Sequence, residues 1–167
     1  SDGHHRLDVG SLLIAAPRGQ QVRLAVDEQT RQVHAVHVVA GEGAAEVRAY
    51  AAPRNGSRWE TARTELAAQA ADQGVVFQER SGPFGVELIH PGSGSGETAV
   101  PPTRVIGVDG PRWLLRVTRL GQPAVEPDRS LEWEEFVSLI AVRRGDAPMP
   151  VGAPLPFALP AEAPTPN

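Results

Sequence analysis

Histidines are the side chains in this sequence best suited to metal binding or proton transfer, and three of the five fall inside regular segments. His34 and His37 are three residues apart in a valine-rich segment, which favours a β-strand. Because neighbouring strand residues point to opposite faces, this pair cannot bind one metal ion from a regular strand. His90 lies at a predicted strand end, where acid or base chemistry would need a partner that the sequence does not identify. We therefore predict no metal-binding and no catalytic residue.

Residues 92–96, Gly-Ser-Gly-Ser-Gly, have glycines like those of a nucleophile elbow or a phosphate-binding loop. A nucleophile elbow needs its serine at the centre, where this sequence has Gly94. A phosphate-binding loop would lead into a helix and carry a lysine, whereas all 16 basic residues of this chain are arginines. The segment is typical of a flexible linker, and no cofactor is predicted.

The candidate binding residues lie in or beside a predicted hairpin over residues 107–116, and they are Arg104, Asp109, Arg112, Trp113 and Arg116. Strict alternation predicts that Arg112 and Arg116 share one face of the second strand, opposite Trp113. Arg104 on the preceding strand could join them across the ladder and form a surface for an acidic partner or an anionic ligand. In the alternative interpretation, these arginines form ion pairs with Glu87, Asp109 or Glu97 on an exposed sheet face.

Composition excludes several classes of protein. The chain has 167 residues and no cysteine, which excludes disulfide scaffolds, cysteine nucleophiles and thiolate metal sites. Its net charge of -4 provides no general attraction to a polyanion, so nucleic-acid binding ranks last. No apolar run reaches the roughly 18 residues that cross a bilayer, and residues 1–10 lack the apolar centre of a signal peptide. We predict a cytoplasmic protein without membrane association, although a segment upstream of Ser1 could have been removed.

Short apolar segments separated by turn residues predict an antiparallel sheet of about seven to eight strands. The predicted strands cover residues 11–16, 21–27, 33–40, 44–52, 75–79, 86–90, 103–108 and 112–120. Asp109-Gly110 predicts a two-residue turn between the last two of these strands.

A helix is predicted between the fourth and fifth strands. Ser57 and Glu60 have the spacing of a capping box, and Gly74 is suited to end the helix in the left-handed region. The helix has an apolar stripe, formed by Trp59, Ala62, Leu66 and Ala70.

A second helix is predicted near the end of the domain, with Asp128 as its N-cap. Its apolar face would consist of Trp133, Phe136, Val137 and Ile140. Residues 137–142 could instead form a final strand, because periodicity does not distinguish the two over so short a run. The predicted fold class is α+β, a single domain with two helices packed on one face of the sheet.

The C-terminal stretch is proline-rich, which prevents a helix or a central strand. Its first half is apolar enough to lie along the domain as an extended arm. We expect a polar leader over residues 1–8, the α+β domain over 9–146, the arm over 147–160 and a frayed tail over 161–167. The arm could also connect two copies of the chain in a homo-oligomer.

Several motifs follow one another in the order found in domain-of-unknown-function family 3710 of actinobacteria, so the chain resembles this family over nearly all of residues 7–160. The motifs cover residues 7–14, 21–24, 51–54, 82–85, 107–116 and 144–149, and residues 107–116 are the most specific. Residues 92–96 depart from the longer, more charged connection associated with the family. The resemblance implies no activity, cofactor or catalytic residue. The order of elements is also similar to PsbP-like domains, an analogy of fold that assigns no site.

Three hypotheses about function follow. The leading one is a non-catalytic cytoplasmic module that binds another protein. The alternative is a sensor or enzyme for a small anionic ligand, held by Arg104, Arg112 or Arg116 with His90 nearby. The third is nucleic-acid binding.

Overall fold

The computed structural model describes residues 5–8, 12–16, 21–26, 29, 33–40, 43–53, 58–82, 84–94, 101–121, 137, 140–142, 144 and 148–155. These residues form two antiparallel sheets and an α-helix. The strands are β1 (His5–Asp8), β2 (Leu12–Ala16), β3 (Gln21–Val26), β4 (Val33–Ala40), β5 (Gly43–Ala51), β6 (Gln78–Gly82), β7 (Gly85–His90), β8 (Thr103–Gly110), β9 (Trp113–Leu120) and β10 (Ala141–Val142). The helix, α1, comprises Trp59–Asp72.

The larger sheet has seven strands in the order β3-β4-β5-β9-β8-β7-β6, and all its neighbours are antiparallel. Its strands match the predicted ones closely, except that β6 begins three residues later than predicted. The connection from β5 to β6 contains α1 and carries the chain to the far edge of the sheet. This arrangement confirms the predicted antiparallel sheet.

A second sheet, in the order β1-β2-β10, was not predicted. Its residues Leu12 and Ile14 are fully buried against one face of the larger sheet, in a cluster that includes Val47, Leu115 and Val117. We call this face the core face. The prediction of one sheet was wrong because β2 pairs with β1 on one side and, on the other, with β10, which follows more than a hundred residues later in the chain.

The opposite face of the larger sheet, the helix face, packs against α1. Buried Trp59 contacts Leu88, Val105 and Leu114, and Leu66 packs against the same cluster. These sheet residues lie on β7, β8 and β9, so α1 covers one half of the helix face. Among the described side chains of β3, β4 and β5 on this face, Ala35 is buried and Arg23 is exposed, whereas those of His37, Glu46, Arg48 and Tyr50 are half-buried.

The start of α1 differs from the capping box predicted at its N-terminus. Ser57 lies outside the described residues, and the N-cap position is Arg58, whose side chain makes no capping hydrogen bond. Instead, one carboxylate oxygen of Asp109 accepts hydrogen bonds from the backbone N–H groups of Arg58 and Trp59, both at 3.0 Å. The N-terminal cap of α1 is therefore supplied by a side chain of β8. At the other end, Gly74 has φ of +84°, as predicted.

Within the described ranges the chain has one α-helix, whereas two were predicted. Most of the second predicted helix, including Asp128, Trp133 and Phe136, lies outside those ranges. Val137 has helical backbone and is buried in the core, whereas Ala141–Val142 form β10. The alternative prediction of a final strand is therefore confirmed for these last two residues.

The turn between β8 and β9 also differs from the prediction. Asp109 and Gly110 belong to β8, and Gly110 pairs with Trp113, which leaves Pro111 and Arg112 as the turn. Arg112 has φ of +65°, and proline followed by a residue with positive φ is the pattern of a type II turn. Proline fixes its own φ in advance, and this preference outweighs the tendency of Asp-Gly to form the turn.

The C-terminal arm lies along β5 over its described residues. The N–H of Ala51 donates to the carbonyl of Ala153 at 2.8 Å, and the N–H of Leu155 donates to the carbonyl of Ala49 at 2.9 Å. Beyond Val47 the ladder between β4 and β5 has ended, so this edge of β5 is available for pairing. Leu155 is buried in the main core.

Candidate binding groove beside Tyr50

A groove of about 160 Å³ lies on the helix face, where α1 ends its cover of the sheet. Its floor consists of Tyr50 on β5 with Leu114 and Arg116 on β9. Tyr50 and Leu114 are opposite each other in the β5–β9 register, and Arg116 is two residues further along the same face. Strand alternation therefore brings the three side chains together.

The walls of this Tyr50 groove come from α1 and from the arm. Arg58 and Glu65 lie on the helix side, where Arg58 Nη2 is 3.7 Å from Glu65 Oε2. Gly152 forms the opposite side. It has φ of +88°, and a Cβ there would lie 3.1 Å from Arg58 Nη2, so glycine allows the arm to approach this guanidinium.

The helix wall is held in place by Trp59. Its indole Nε1 donates to the carbonyl of Val86 at 2.7 Å, and its backbone N–H is capped by Asp109. Its ring lies directly over Gly107, at a position where any Cβ would collide with the indole. Glycine in the middle of β8 is thus explained by the close approach of the helix.

The surroundings of Arg116 are unusual for an arginine, because they combine an aromatic ring with a second arginine. Its guanidinium lies 5.0 Å from the centre of the Tyr50 ring, a cation–π contact, and the residue is half-buried. In the β5–β9 register it is opposite Arg48, another arginine. Like charges placed opposite each other destabilise a sheet unless something neutralises them.

Glu46 neutralises Arg48. Arg48 Nε donates to Glu46 Oε1 at 2.7 Å, and His37 Nε2 is 3.3 Å from Glu46 Oε2. Burial raises the pKa of Glu46, but the hydrogen bonds and charges of Arg48 and His37 outweigh burial and hold this pKa below its usual value. The hydrogen bond that Arg48 donates to Glu46 raises the pKa of Arg48 against the effect of its burial. No carboxylate among the described residues lies within ion-pair distance of Arg116.

Arg104 has a different environment from the other predicted site residues. It lies on the core face, where its Nε is 2.5 Å from Oε1 of the fully buried Glu87. Arg104 and Arg116 therefore occupy opposite faces of the sheet and do not form one arginine surface, contrary to the expected ladder. The alternative interpretation predicted an ion pair with Glu87 on an exposed face. For Arg104 the pairing is confirmed, but the predicted exposure is wrong, because Glu87 is buried.

The remaining three predicted residues lie outside the groove. Asp109 caps α1, as described above. Arg112 forms the turn, and its carbonyl accepts hydrogen bonds from the N–H of Ala52 at 2.8 Å and from Arg144 Nε at 3.1 Å. Trp113 packs against the main core, with its ring over Gly110. The predicted alternation of Trp113 and Arg116 is confirmed, since the two lie on opposite faces.

The histidines do not converge on a site. His90 Nδ1 accepts a hydrogen bond from the N–H of Gly92 at 3.0 Å, and its ring contacts Phe77 edge to face. The hydrogen bond requires an unprotonated Nδ1, so neutral His90 carries its proton on Nε2. Within the described part of the chain, no three histidine, aspartate or glutamate side chains lie close enough together to hold a metal ion.

Sequence reasoning missed Tyr50, Arg58 and Gly152 as groove residues. Tyr50 is the one tyrosine of the chain, and its strand was predicted, but its position opposite Leu114 depends on the β5–β9 register. Arg58 and Gly152 approach each other from segments that are far apart in sequence. The signal that was available was Arg116, on the correct face of the predicted hairpin.

The fold and site define an α+β protein with a small cationic groove between its helix and its sheet. The chain belongs to the family described as "Protein of unknown function (DUF3710)", whose model matches residues 1–165. This confirms the family resemblance. No helix in the described ranges combines the length and apolar character needed to span a membrane.

Among solved structures, the chain is similar to the solution structure of cyanobacterial PsbP (CyanoP) from Synechocystis sp. PCC 6803. The identity is 12%, the TM-score is 0.49, and the match covers 86% of this chain and 95% of that one. No curated protein matches the chain.

Proposed function

We propose that this protein is a non-catalytic module that binds another protein through the Tyr50 groove. The observation that carries the proposal is Arg116, a half-buried cation stacked on Tyr50, with no carboxylate from the described residues in ion-pair range. Arginine and tyrosine are enriched among the residues that dominate protein interfaces. A partner that places a negative charge beside Arg116 would stabilise this cation.

The size of the groove favours a partner side chain over a metabolite. Small-molecule sites usually enclose roughly 300 to 1,000 Å³, whereas this groove has about 160 Å³. That volume corresponds to about five water molecules. The groove is open to the uncovered half of the helix face, which offers further area for a protein surface.

The lining supports binding without catalysis. The described lining residues include no histidine, serine or cysteine, the side chains that most acyl-transfer sites use as base and nucleophile. Arg58 and Arg116 suit the fixed recognition of an anionic group.

We extend the proposal to a cytoplasmic location, an actinobacterial source and a partner other than nucleic acid. Homo-oligomerisation through the arm would require the arm's bonds to β5 to form between two copies.

Affinity capture from a lysate of the source organism, read by mass spectrometry, tests the proposal with three forms of the chain. The wild type is compared with Arg116→Glu and with Arg80→Glu, which makes the same charge change on the exposed edge strand β6. We expect a protein that the wild type and Arg80→Glu capture equally and Arg116→Glu loses at least tenfold. A partner retained equally by all three would exclude the groove as the binding surface.

A further inference from the structure

We propose that the Tyr50 groove recognises a carboxylate side chain within an acidic peptide segment of the partner protein. This inference rests on the proposed function and specifies the chemistry of the partner at the same site. In this arrangement the carboxylate binds Arg116 and lies within reach of Arg58, while its methylene stem packs on Tyr50 and Leu66.

The charge distribution of the molecule favours an acidic partner at this place. The whole chain has a net charge of -4, so an acidic segment is repelled by the protein in general. The described side chains on the open half of the helix face have a different balance, because Arg48 and Arg116 outnumber the one acidic residue described there, Glu46. Since Glu46 is already bonded to Arg48, Arg116 provides the positive charge that remains at the groove.

The lining distinguishes a carboxylate from a phosphate group. Arg58 is close to Glu65, so the groove itself contains two guanidinium groups and one carboxylate, an excess of one positive charge. One carboxylate matches that excess. A phosphorylated side chain carries roughly 1.5 to 2 negative charges near neutral pH, and it would also approach Glu65. The groove therefore suits a monoanion.

The geometry of the floor adds selectivity for a side chain with an apolar stem. The Arg116 guanidinium lies over the Tyr50 ring, which restricts its orientation. A planar guanidinium held in this way presents its N–H groups in a fixed fork that can bind both oxygens of a carboxylate. Half-buried Leu66 and the Tyr50 ring supply apolar surface beside it for methylene groups.

Titration of the ¹⁵N-labelled full chain, followed by NMR, tests the inference. The probe is an acetylated and amidated peptide in which glutamate alternates with glycine, and its control has glutamine in place of glutamate. We expect saturable shifts of the Arg116 Nε–Hε resonance and of the Tyr50 ring resonances with the glutamate peptide. The glutamine peptide should bind at least tenfold more weakly, and added salt should weaken the glutamate complex.

Variants locate the binding. Arg116→Gln should reduce the affinity for the glutamate peptide at least tenfold, whereas Arg80→Gln should leave it within twofold. If the spectrum of Arg116→Gln shows a perturbed fold, Arg58→Gln on the groove wall replaces it, with an expected loss of about threefold or more. Equal affinity for the two peptides, or no saturable shift at millimolar peptide, would overturn the inference.

Inorganic phosphate is the third probe. Tighter binding of phosphate than of the glutamate peptide, with the same Arg116 dependence, would overturn the carboxylate assignment. Lysate capture that depends on Arg116, together with no preference for glutamate over glutamine, would leave the proposed function standing and this inference wrong. Lysate capture that does not depend on Arg116, together with the expected peptide titration, would contradict the proposed function and leave this inference standing.

Discussion

Arg104 and Arg116 lie on adjacent strands of one hairpin, and their environments are opposite. The Arg104 side chain is 13% exposed and its Nε is 2.5 Å from Glu87, whose side chain is 1% exposed. Arg116 lies on the other face, stacked on Tyr50 and without a carboxylate from the described residues in ion-pair range. The comparison shows that strand parity and the layer packed on each face decide whether an arginine serves the core or a surface.

The buried pair is part of the packing of its region. Gly82 lies so close to the Glu87 carboxylate that any Cβ would collide with it, and Arg119, opposite Arg104 in the register, is also buried. Removing two charges from water costs several kcal/mol for each ion, which good geometry must repay. No comparable cost applies to Arg116, which remains half-exposed to water.

The largest expected effect comes from neutralising Arg104, in comparison with a second variant that neutralises Arg116. Arg104→Gln leaves Glu87 buried without its charged partner, and we expect a loss of about 3 to 5 kcal/mol in the free energy of unfolding. Arg116→Gln serves as the matched control and should lose no more than about 1 kcal/mol, the value of a half-exposed cation–π contact. Urea unfolding followed by circular dichroism measures both. Equal losses in the two variants would contradict the comparison.

A smaller effect is expected at the cap that connects the hairpin to α1. Asp109→Ala removes the acceptor for the N–H groups of Arg58 and Trp59, and we expect a loss of about 1 kcal/mol. Asp109→Asn retains an oxygen in the same position and should recover most of that loss. Urea unfolding of the two variants provides the measurement. If alanine and asparagine destabilise the protein equally, the cap contributes less than its geometry indicates.

The smallest effect concerns Glu46, which neutralises the arginine opposite Arg116. Because the pKa of Glu46 in the folded protein is below its ordinary value of 4.5, its ionised form stabilises the fold above that value. This contribution is lost as the pH falls through 4.5 toward the lower folded-state pKa. We expect Glu46→Gln to be less stable than the wild type by up to about 1 kcal/mol at neutral pH.

The pH dependence provides the control for that prediction. The difference in unfolding free energy between the wild type and Glu46→Gln should shrink steadily as the pH falls through 4.5 in urea titrations. Glu79→Gln, which removes the 60% exposed partner of Arg63, is the comparison at neutral pH, where an exposed ion pair should contribute little to stability. A difference for Glu46→Gln that grows toward low pH would have the wrong sign.

Local patterns predicted most of the larger sheet and the helix. Alternation is visible in residues 21–26, where Val22 and Leu24 pack on the core and Arg23 between them is exposed. The apolar stripe and Gly74 located α1, since helix periodicity and a left-handed end are local properties. The capping box was predicted from spacing alone, and the hydrogen bonds that stabilise the helix start come from Asp109, fifty residues away.

The small sheet and the groove depended on contacts between distant segments. β10 has two residues, too few to show a period, and it is defined by its pairing with β2. Residues 104, 112 and 116 were grouped by proximity in sequence, but the turn at Pro111 and Arg112 and the register of β8 with β9 separate them. One residue of displacement moves a side chain to the other face of a sheet.

The sequence by itself determined the elements, because strand and helix periodicities record which side of each segment is apolar. It also determined the family and marked Arg116 as a candidate binding residue. Only the tertiary structure decided which elements are neighbours, and with them the Tyr50 groove, the pairing of Arg104 with Glu87 and the cap from Asp109. Each of these depends on strand register and on contacts between residues far apart in the chain, and a local apolar pattern carries no information about either.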